Sequence, residues 1–144
     1  MILNTASATV SFAKKLEDES ATFYEDLARR YAKDEDSFLS FAKENKKNVT
    51  QIQRTYYGVI TDAIEGCFAF DIDSDTYAID AKLAEDINYS GALDRAIKLE
   101  EKIGRFYLDA AEQSKPLMAD LPRVFMMIVK KRDGRIAKLK ELCQ

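Results

Sequence analysis

A chain of 144 residues, 47% of them hydrophobic, is long enough to bury a substantial core and is read as one domain over residues 1–144. A formal charge of −3, from 22 basic and 25 acidic side chains, gives no overall attraction to nucleic acid or to an anionic membrane, and neither is expected as a partner. No window of about 20 apolar residues and no basic-then-apolar leader is present, so a cytoplasmic location is the expectation.

Only five glycines and two prolines interrupt the chain, which favours an all-α fold. From Ser7 to Lys33 the residues Val10, Ala13, Glu17, Ser20, Tyr24, Leu27 and Tyr31 recur at alternating steps of three and four, the seam of a first bundle helix. The polar cluster around Asp36 and Ser37 breaks that pattern and is expected to cap a second helix running to Gly58, with Phe38, Phe41, Val49, Ile52 and Tyr56 as its apolar stripe. Between Gly58 and Ser90 the periodicity weakens over a stretch too long for a turn and too apolar for a disordered linker, which is read as a crossover with one or two short helices. Ser90 is expected to cap a third helix with the seam Leu93, Ala96, Glu100, Ile103, Tyr107 and Ala110. Asp120 is expected to cap a fourth, with Pro122 in its first turn and the seam Phe125, Ile128, Arg132, Arg135, Leu139 and Leu142. Two short connections around a long central one give an antiparallel four-helix bundle with a long crossover between helices two and three. An internal repeat agrees: LEDESATFYEDLA around Glu17 matches LEEKIGRFYLDAA around Glu100 in Leu, Glu, Phe, Tyr and the late Ala.

Charged residues belong on the outside of a bundle helix, yet Glu17, Glu100, Arg132 and Arg135 fall on seams. Either local rotation carries each to the rim, where its stem lies along the surface, or these groups meet one another, a metal or water in the interior. The pattern Glu17, Tyr24, Ala28 and its copy Glu100, Tyr107, Ala111 resembles the single-glutamate helices of the ferritin-like superfamily, in particular the rubrerythrin-like di-iron carboxylate proteins, over essentially the whole chain. That resemblance implies a Glu-x-x-His on each of the other two helices. In this sequence Glu44 and Lys47 stand there in the second helix, and Arg132 and Arg135 in the fourth; the chain has no histidine at all. Guanidinium and ammonium groups have no lone pair to give a metal. With Glu17, Glu44 and Glu100 set against Lys47, Arg132 and Arg135, the expectation is a neutral salt-bridge cluster in place of a di-metal site. No cofactor is then expected. The other reading keeps iron or manganese on Glu17, Glu44 and Glu100, helped by Asp133, in a rubrerythrin-like oxidoreductase that reduces peroxide or handles iron. Tyr24 and Tyr107 are either hydrogen-bond partners of these carboxylates or amphipathic core residues.

Cys67 and Cys143 are far apart with no CxxC, so neither a disulfide framework nor a rubredoxin-type iron site is encoded. Asp71, Asp73 and Asp75 open like a calcium loop, but Thr76 and Lys82 stand where Gly and Glu are needed, which leaves a solvated acidic loop. A homodimer is what the family resemblance implies. The function expected is a non-catalytic structural, interaction or small-ligand-binding module.

Overall fold

The computed structural model describes residues 1–59, 70–116 and 120–144; the middle of the crossover, including Cys67, lies outside the described residues. Four long helices dominate them: α1 (Ala6–Arg30), α2 (Glu35–Val59), α4 (Tyr89–Ser114) and α5 (Asp120–Leu142). A 3-10 turn at Ala32–Asp34 joins the first two, and a short helix α3 (Ser74–Tyr77) lies in the crossover.

The helix starts follow side-chain capping, with shifts from the expected positions. Thr5 caps α1, its Oγ1 accepting from the Ala8 N–H at 3.1 Å. Asn88 rather than Ser90 caps α4, its Oδ1 accepting from the Gly91 N–H at 2.7 Å. Both residues have the right chemistry; Asn88 takes the position because Ile87 and Tyr89 beside it pack against the core. Neither Asp36 nor Ser37 caps α2, which starts at Glu35 directly from the 3-10 turn and keeps Glu35 and Asp36 in its first turn, where negative charge suits the helix dipole. α1 ends at Arg30, three residues short of the expected Lys33, because Tyr31 turns its backbone out of the helix.

The buried faces determine how the helices meet. α1 packs on α2 and α4 on α5; α2 also packs on α5, and α1 on α4. Partner residues run in opposite senses across each contact, for example Ser20 with Asn45 and Glu17 with Asn48 between α1 and α2, or Gln51 with Met127 and Glu44 with Arg135 between α2 and α5. All four neighbouring pairs are therefore antiparallel, and the crossover returns along the length of the bundle before α4 begins. It does so against α1 and α4: Arg30 donates to the carbonyls of Ala84 and Leu83, Arg95 to that of Asp80, and Lys102 to that of Ala78.

Two two-residue strands, β1 (Ile2–Leu3) and β2 (Ile72–Asp73), pair antiparallel and fasten the crossover to the start of the chain, with Leu3 opposite Ile72 and both buried. So short a ribbon has no room for a period-two pattern, which is why the sequence shows none. The aspartates of the acidic loop act locally: Asp73 accepts from the Asp75 N–H as the cap of α3, and the N-terminal amine lies 3.6 Å from Asp73 and 3.5 Å from Asp75.

The repeat is visible in the packing. Phe23 meets Tyr24 edge-on at 5.4 Å and Phe106 meets Tyr107 edge-on at 5.2 Å, and each tyrosine ring then faces the first buried phenylalanine of the partner helix, Phe38 or Phe125. The buried stripe of α2, Phe38, Ala42, Asn45, Asn48 and Ile52, corresponds position for position to Phe125, Val129, Arg132, Arg135 and Leu139 of α5. Val49, expected on the stripe, is only half-buried, as is Phe41.

The capping assignment is directly testable: Asn88→Ala should lower stability by about 1 kcal/mol, and Ser90→Ala by only a few tenths, in urea unfolding followed by circular dichroism.

A buried ion-pair cluster between the four helices

At mid-height of the bundle the seams carry charge. Arg132 has 0% of its surface exposed and Arg135 2%, and Glu17 and Glu100 are fully buried beside them. Each charge lies on a helix seam whose buried apolar residues, such as Ala13 and Tyr24 around Glu17, Ala96 and Ile103 around Glu100, and Ile128 and Leu139 around the two arginines, hold that face inward. Once inside, a charge must be paired.

Glu100 is the centre of the arrangement. Arg132 Nη1 donates to both its carboxylate oxygens, at 2.8 and 2.9 Å, and Arg135 Nη1 donates to Oε1 at 3.2 Å. The Tyr24 hydroxyl donates to the same oxygen at 2.6 Å. Arg132 reaches Glu17 through Nη2, and its Nη1 also donates to Ser20 Oγ at 3.2 Å. Arg135 spreads its remaining donors outward, Nε to Glu44 at 3.0 Å and Nη2 to the Phe41 carbonyl at 2.9 Å, while its guanidinium lies over the rings of Phe41 and Tyr24 at 5.2 and 5.6 Å.

Two asparagines complete the cluster from α2, and the sequence reading does not identify them. Asn48 Nδ2 donates to Glu17 at 2.9 Å, and Asn45 Nδ2 donates to Ser20 Oγ at 3.0 Å. Lys47, expected here, is exposed on the outer face of α2. The reason is one of register: matching Glu44 and Lys47 to a Glu-x-x-His template displaces the stripe by one residue, a rotation of about 100° on a helix. The spacing Phe38, Ala42, Asn45, Asn48, Ile52 is the available signal for the true face. Glu44 still joins the cluster, but from the rim, with 35% of its side chain exposed. The third cation is Lys131, whose Nζ donates to Asn48 Oδ1 at 3.3 Å and so faces Glu17 through one amide.

The charge balance is consequently two-layered. Glu17 and Glu100 oppose Arg132 and Arg135 in the interior, and nearer the rim Glu44 pairs with Arg135 while Lys131 donates to Asn48.

The carboxyl pKa values of the two glutamates are shifted in opposite directions although the repeat equates them. Burial pushes the Glu17 carboxyl above its ordinary value, and Arg132, Arg135 and the amide of Asn48 offset that only in part. Burial acts on Glu100 in the same sense and is the largest single influence there, but Arg132, Arg135 and the hydroxyl of Tyr24 together outweigh it and hold this carboxyl below its ordinary value. The tyrosines cross over between the repeats: Tyr24 of α1 serves Glu100 of α4, and Tyr107 of α4 stands beside Glu17 of α1. Burial and the neighbouring carboxylate raise both phenols well above their ordinary range, so both stay protonated. Tyr107 feels the charge of Glu17 without a hydrogen bond of good geometry, and its hydroxyl, Asn45 Oδ1 and Arg132 Nε are buried without a protein partner among the described residues.

The donor set does not fit a pair of iron or manganese ions. The two fully buried carboxylates are held by guanidinium groups, and the residues that face them from α2 and α5, Asn45 with Asn48 and Arg132 with Arg135, supply neither an imidazole nor a further carboxylate. Among the described residues no group of three or more acidic, cysteine or histidine side chains converges as a metal site would require. Asp133 is exposed on the α4–α5 surface, in a groove that Glu100 also lines.

No family model, curated protein or solved structure matches this chain.

The register predicts that Lys47→Ala changes stability by less than about 0.5 kcal/mol. Asn48→Ala, which leaves Glu17 without its amide, should cost about 1–3 kcal/mol. Equal effects in chemical denaturation would place the α2 face wrongly. The glutamates give a second contrast. Between the ordinary value of 4.5 and its own pKa, folded Glu17 keeps a proton that the unfolded chain has lost, so its contribution to stability falls as pH rises through that window. Glu100 has the opposite sign: its contribution is present above 4.5 and disappears as pH falls through its lowered pKa. The cost of Glu17→Gln should accordingly shrink as pH rises above 4.5, whereas Glu100→Gln should cost about 3–5 kcal/mol at neutral pH. Unfolding free energies of both variants across pH 4 to 8 read this directly.

Proposed function

We propose that this chain is a ferritin-like, rubrerythrin-like four-helix protein whose di-metal site has been replaced by an ion-pair cluster, and that it acts as a non-catalytic structural, interaction or small-ligand-binding module. The observation that carries the reading is the pairing of Arg132 with Glu17 and Glu100. A guanidinium fork places positive charge between the two carboxylates that a di-metal protein would use for its ions, and supplies it without any lone pair for a metal. Antiparallel packing around a lengthwise crossover and the duplicated Glu-Tyr pattern support the same relationship. A protein of this kind keeps the fold of a redox bundle while its interior is electrostatically satisfied.

The homodimer suggested by the resemblance belongs to this proposal. The groove between α4 and α5 supports it, because Leu108 and Met126 are exposed there and its rim carries both charge signs, Glu101 and Asp133 with Arg105 and Lys130, as a two-fold contact between identical surfaces requires.

Protein expressed with iron and manganese supplied should carry far less than one metal ion per chain by elemental analysis. The quadruple variant Asn45→Glu, Asn48→His, Arg132→Glu, Arg135→His should acquire near-stoichiometric metal. Bound iron or manganese in the natural protein would establish the rubrerythrin-like redox reading instead, and a folded quadruple variant without metal affinity would refute the relationship between the cluster and a di-metal site.

A further inference from the structure

The net charge of −3 conceals an uneven distribution. α2 and α5 pack on each other along one long side of the bundle, and the crossover lies along the other, bonded to α1 and α4. On the α2–α5 side, Lys43, Lys46, Lys47 and Arg54 are all exposed along a single stripe of α2. From Lys46 to Val59 the helix has no acidic residue, and the carboxylate of Glu44 is turned to Arg135. None of the four cations is in an ion pair among the described residues. Arg123 of α5, paired with Asp120, shares a groove with Arg54.

The crossover side is the reverse. Within the crossover Asp71, Asp73, Asp75, Asp80, Glu85 and Asp86 are all exposed against Lys82; Arg30, Arg95 and Lys102 beside it are turned to its backbone carbonyls and the N-terminal amine pairs with Asp73 and Asp75, which leaves Asp71, Asp80, Glu85 and Asp86 outside any ion pair among the described residues. This acidic row is anchored beside Gln113 near the end of α4 at Asp71 and reaches the start of α4 next to Asp86, so it runs most of the length of the bundle. The cationic stripe from Lys43 to Arg54 covers about 16 Å at a rise of 1.5 Å per residue, which fits within that row. Sign, exposure and length are thus complementary between two opposite sides of the same molecule.

We infer that this chain associates head to tail with further copies of itself, the acidic crossover (Asp71 to Asp86) of one molecule lying on the basic α2 stripe (Lys43, Lys46, Lys47 and Arg54) of the next. Because the two surfaces differ and face opposite ways, the contact does not close on itself as a two-fold dimer does, and it adds molecules in series. Exposed ion pairs are individually weak and are screened by salt, so the association is a low-ionic-strength property that grows with protein concentration. A membrane fits the basic stripe poorly, since Leu39 and Tyr57 are the only exposed large apolar side chains of α2 among the described residues and a surface-bound helix needs a continuous apolar face to insert.

Sedimentation velocity of the full chain tests this over a concentration series at about 10 mM salt, where the Debye length is about 30 Å, and at about 1 M, where it is about 3 Å. The average mass should climb with concentration at low salt above its value at high salt, whereas an apolar two-fold dimer through α4 and α5 would persist in both. Lys43→Glu/Lys46→Glu/Lys47→Glu and, separately, Asp75→Lys/Glu85→Lys/Asp86→Lys should each abolish the low-salt growth. All six positions are exposed, and circular dichroism melts confirm that the variants are folded. Mixing the two variants should restore association between unlike molecules. Equal mass at both salt concentrations would overturn the inference, as would undiminished growth in either triple variant or failure of the mixture to associate. It would also be overturned if the low-salt complex formed only on adding a single-stranded oligonucleotide, which would assign the stripe to nucleic acid.

Discussion

The carboxylate of Glu100 accepts four hydrogen bonds from three side chains on two other helices, α1 and α5, and the rest of the interior is arranged around it. An ionised group with no solvent around it is tolerable only if its partners are fixed in place, and each partner here is fixed by its own packing: Tyr24 by Phe23, Phe38 and Phe41, Arg135 by stacking on Phe41, and Arg132 by its second carboxylate, Glu17. A network of this kind favours one register of the helices over its neighbours. Sliding a helix by a turn would keep the apolar contacts roughly interchangeable but would leave a guanidinium facing a ring or a carboxylate facing a methyl group. The cluster therefore specifies the arrangement even if it adds little net stability.

The difference between the two glutamates shows how a duplicated framework acquires unequal parts. Glu17 and Glu100 occupy matching places, yet one has an amide and a shared arginine while the other has two arginines and a phenol. The inequality arises on the partner helices, where Asn45 and Asn48 stand opposite the repeat positions of Arg132 and Arg135. All the fully buried positive charge comes from α5.

Much of this was legible from spacing alone. Seam positions three and four apart put Glu17, Glu100, Arg132 and Arg135 on the inward faces, and the spacing alone left only a rotation to the rim as the alternative. The face of α2 was harder to read. Its stripe passes through Ala42, Asn45 and Asn48, small or polar residues whose periodicity is faint, so a template borrowed from metal-binding helices displaces it by one position and picks Lys47. Lys131 was hidden for another reason: it is a half-buried residue whose long stem reaches Asn48 on the neighbouring helix, and which helices are neighbours is a tertiary fact. The same holds for the opposed charges of the two long sides, since the sequence shows a basic run and an acidic run without showing that they end up back to back.

The crossing of the tyrosines between the repeats extends to charge. Taken alone, the hairpin of α1 and α2 has one buried carboxylate, Glu17, and no buried cation; the hairpin of α4 and α5 has one buried carboxylate and two buried guanidinium groups. Each half is thus an incomplete ion, of opposite sign to the other, and only their union has a neutral interior. Duplicated though they look, the halves are no longer interchangeable: two copies of the first would repel across the seam, and so would two copies of the second. The chain has made its own halves obligate and asymmetric partners.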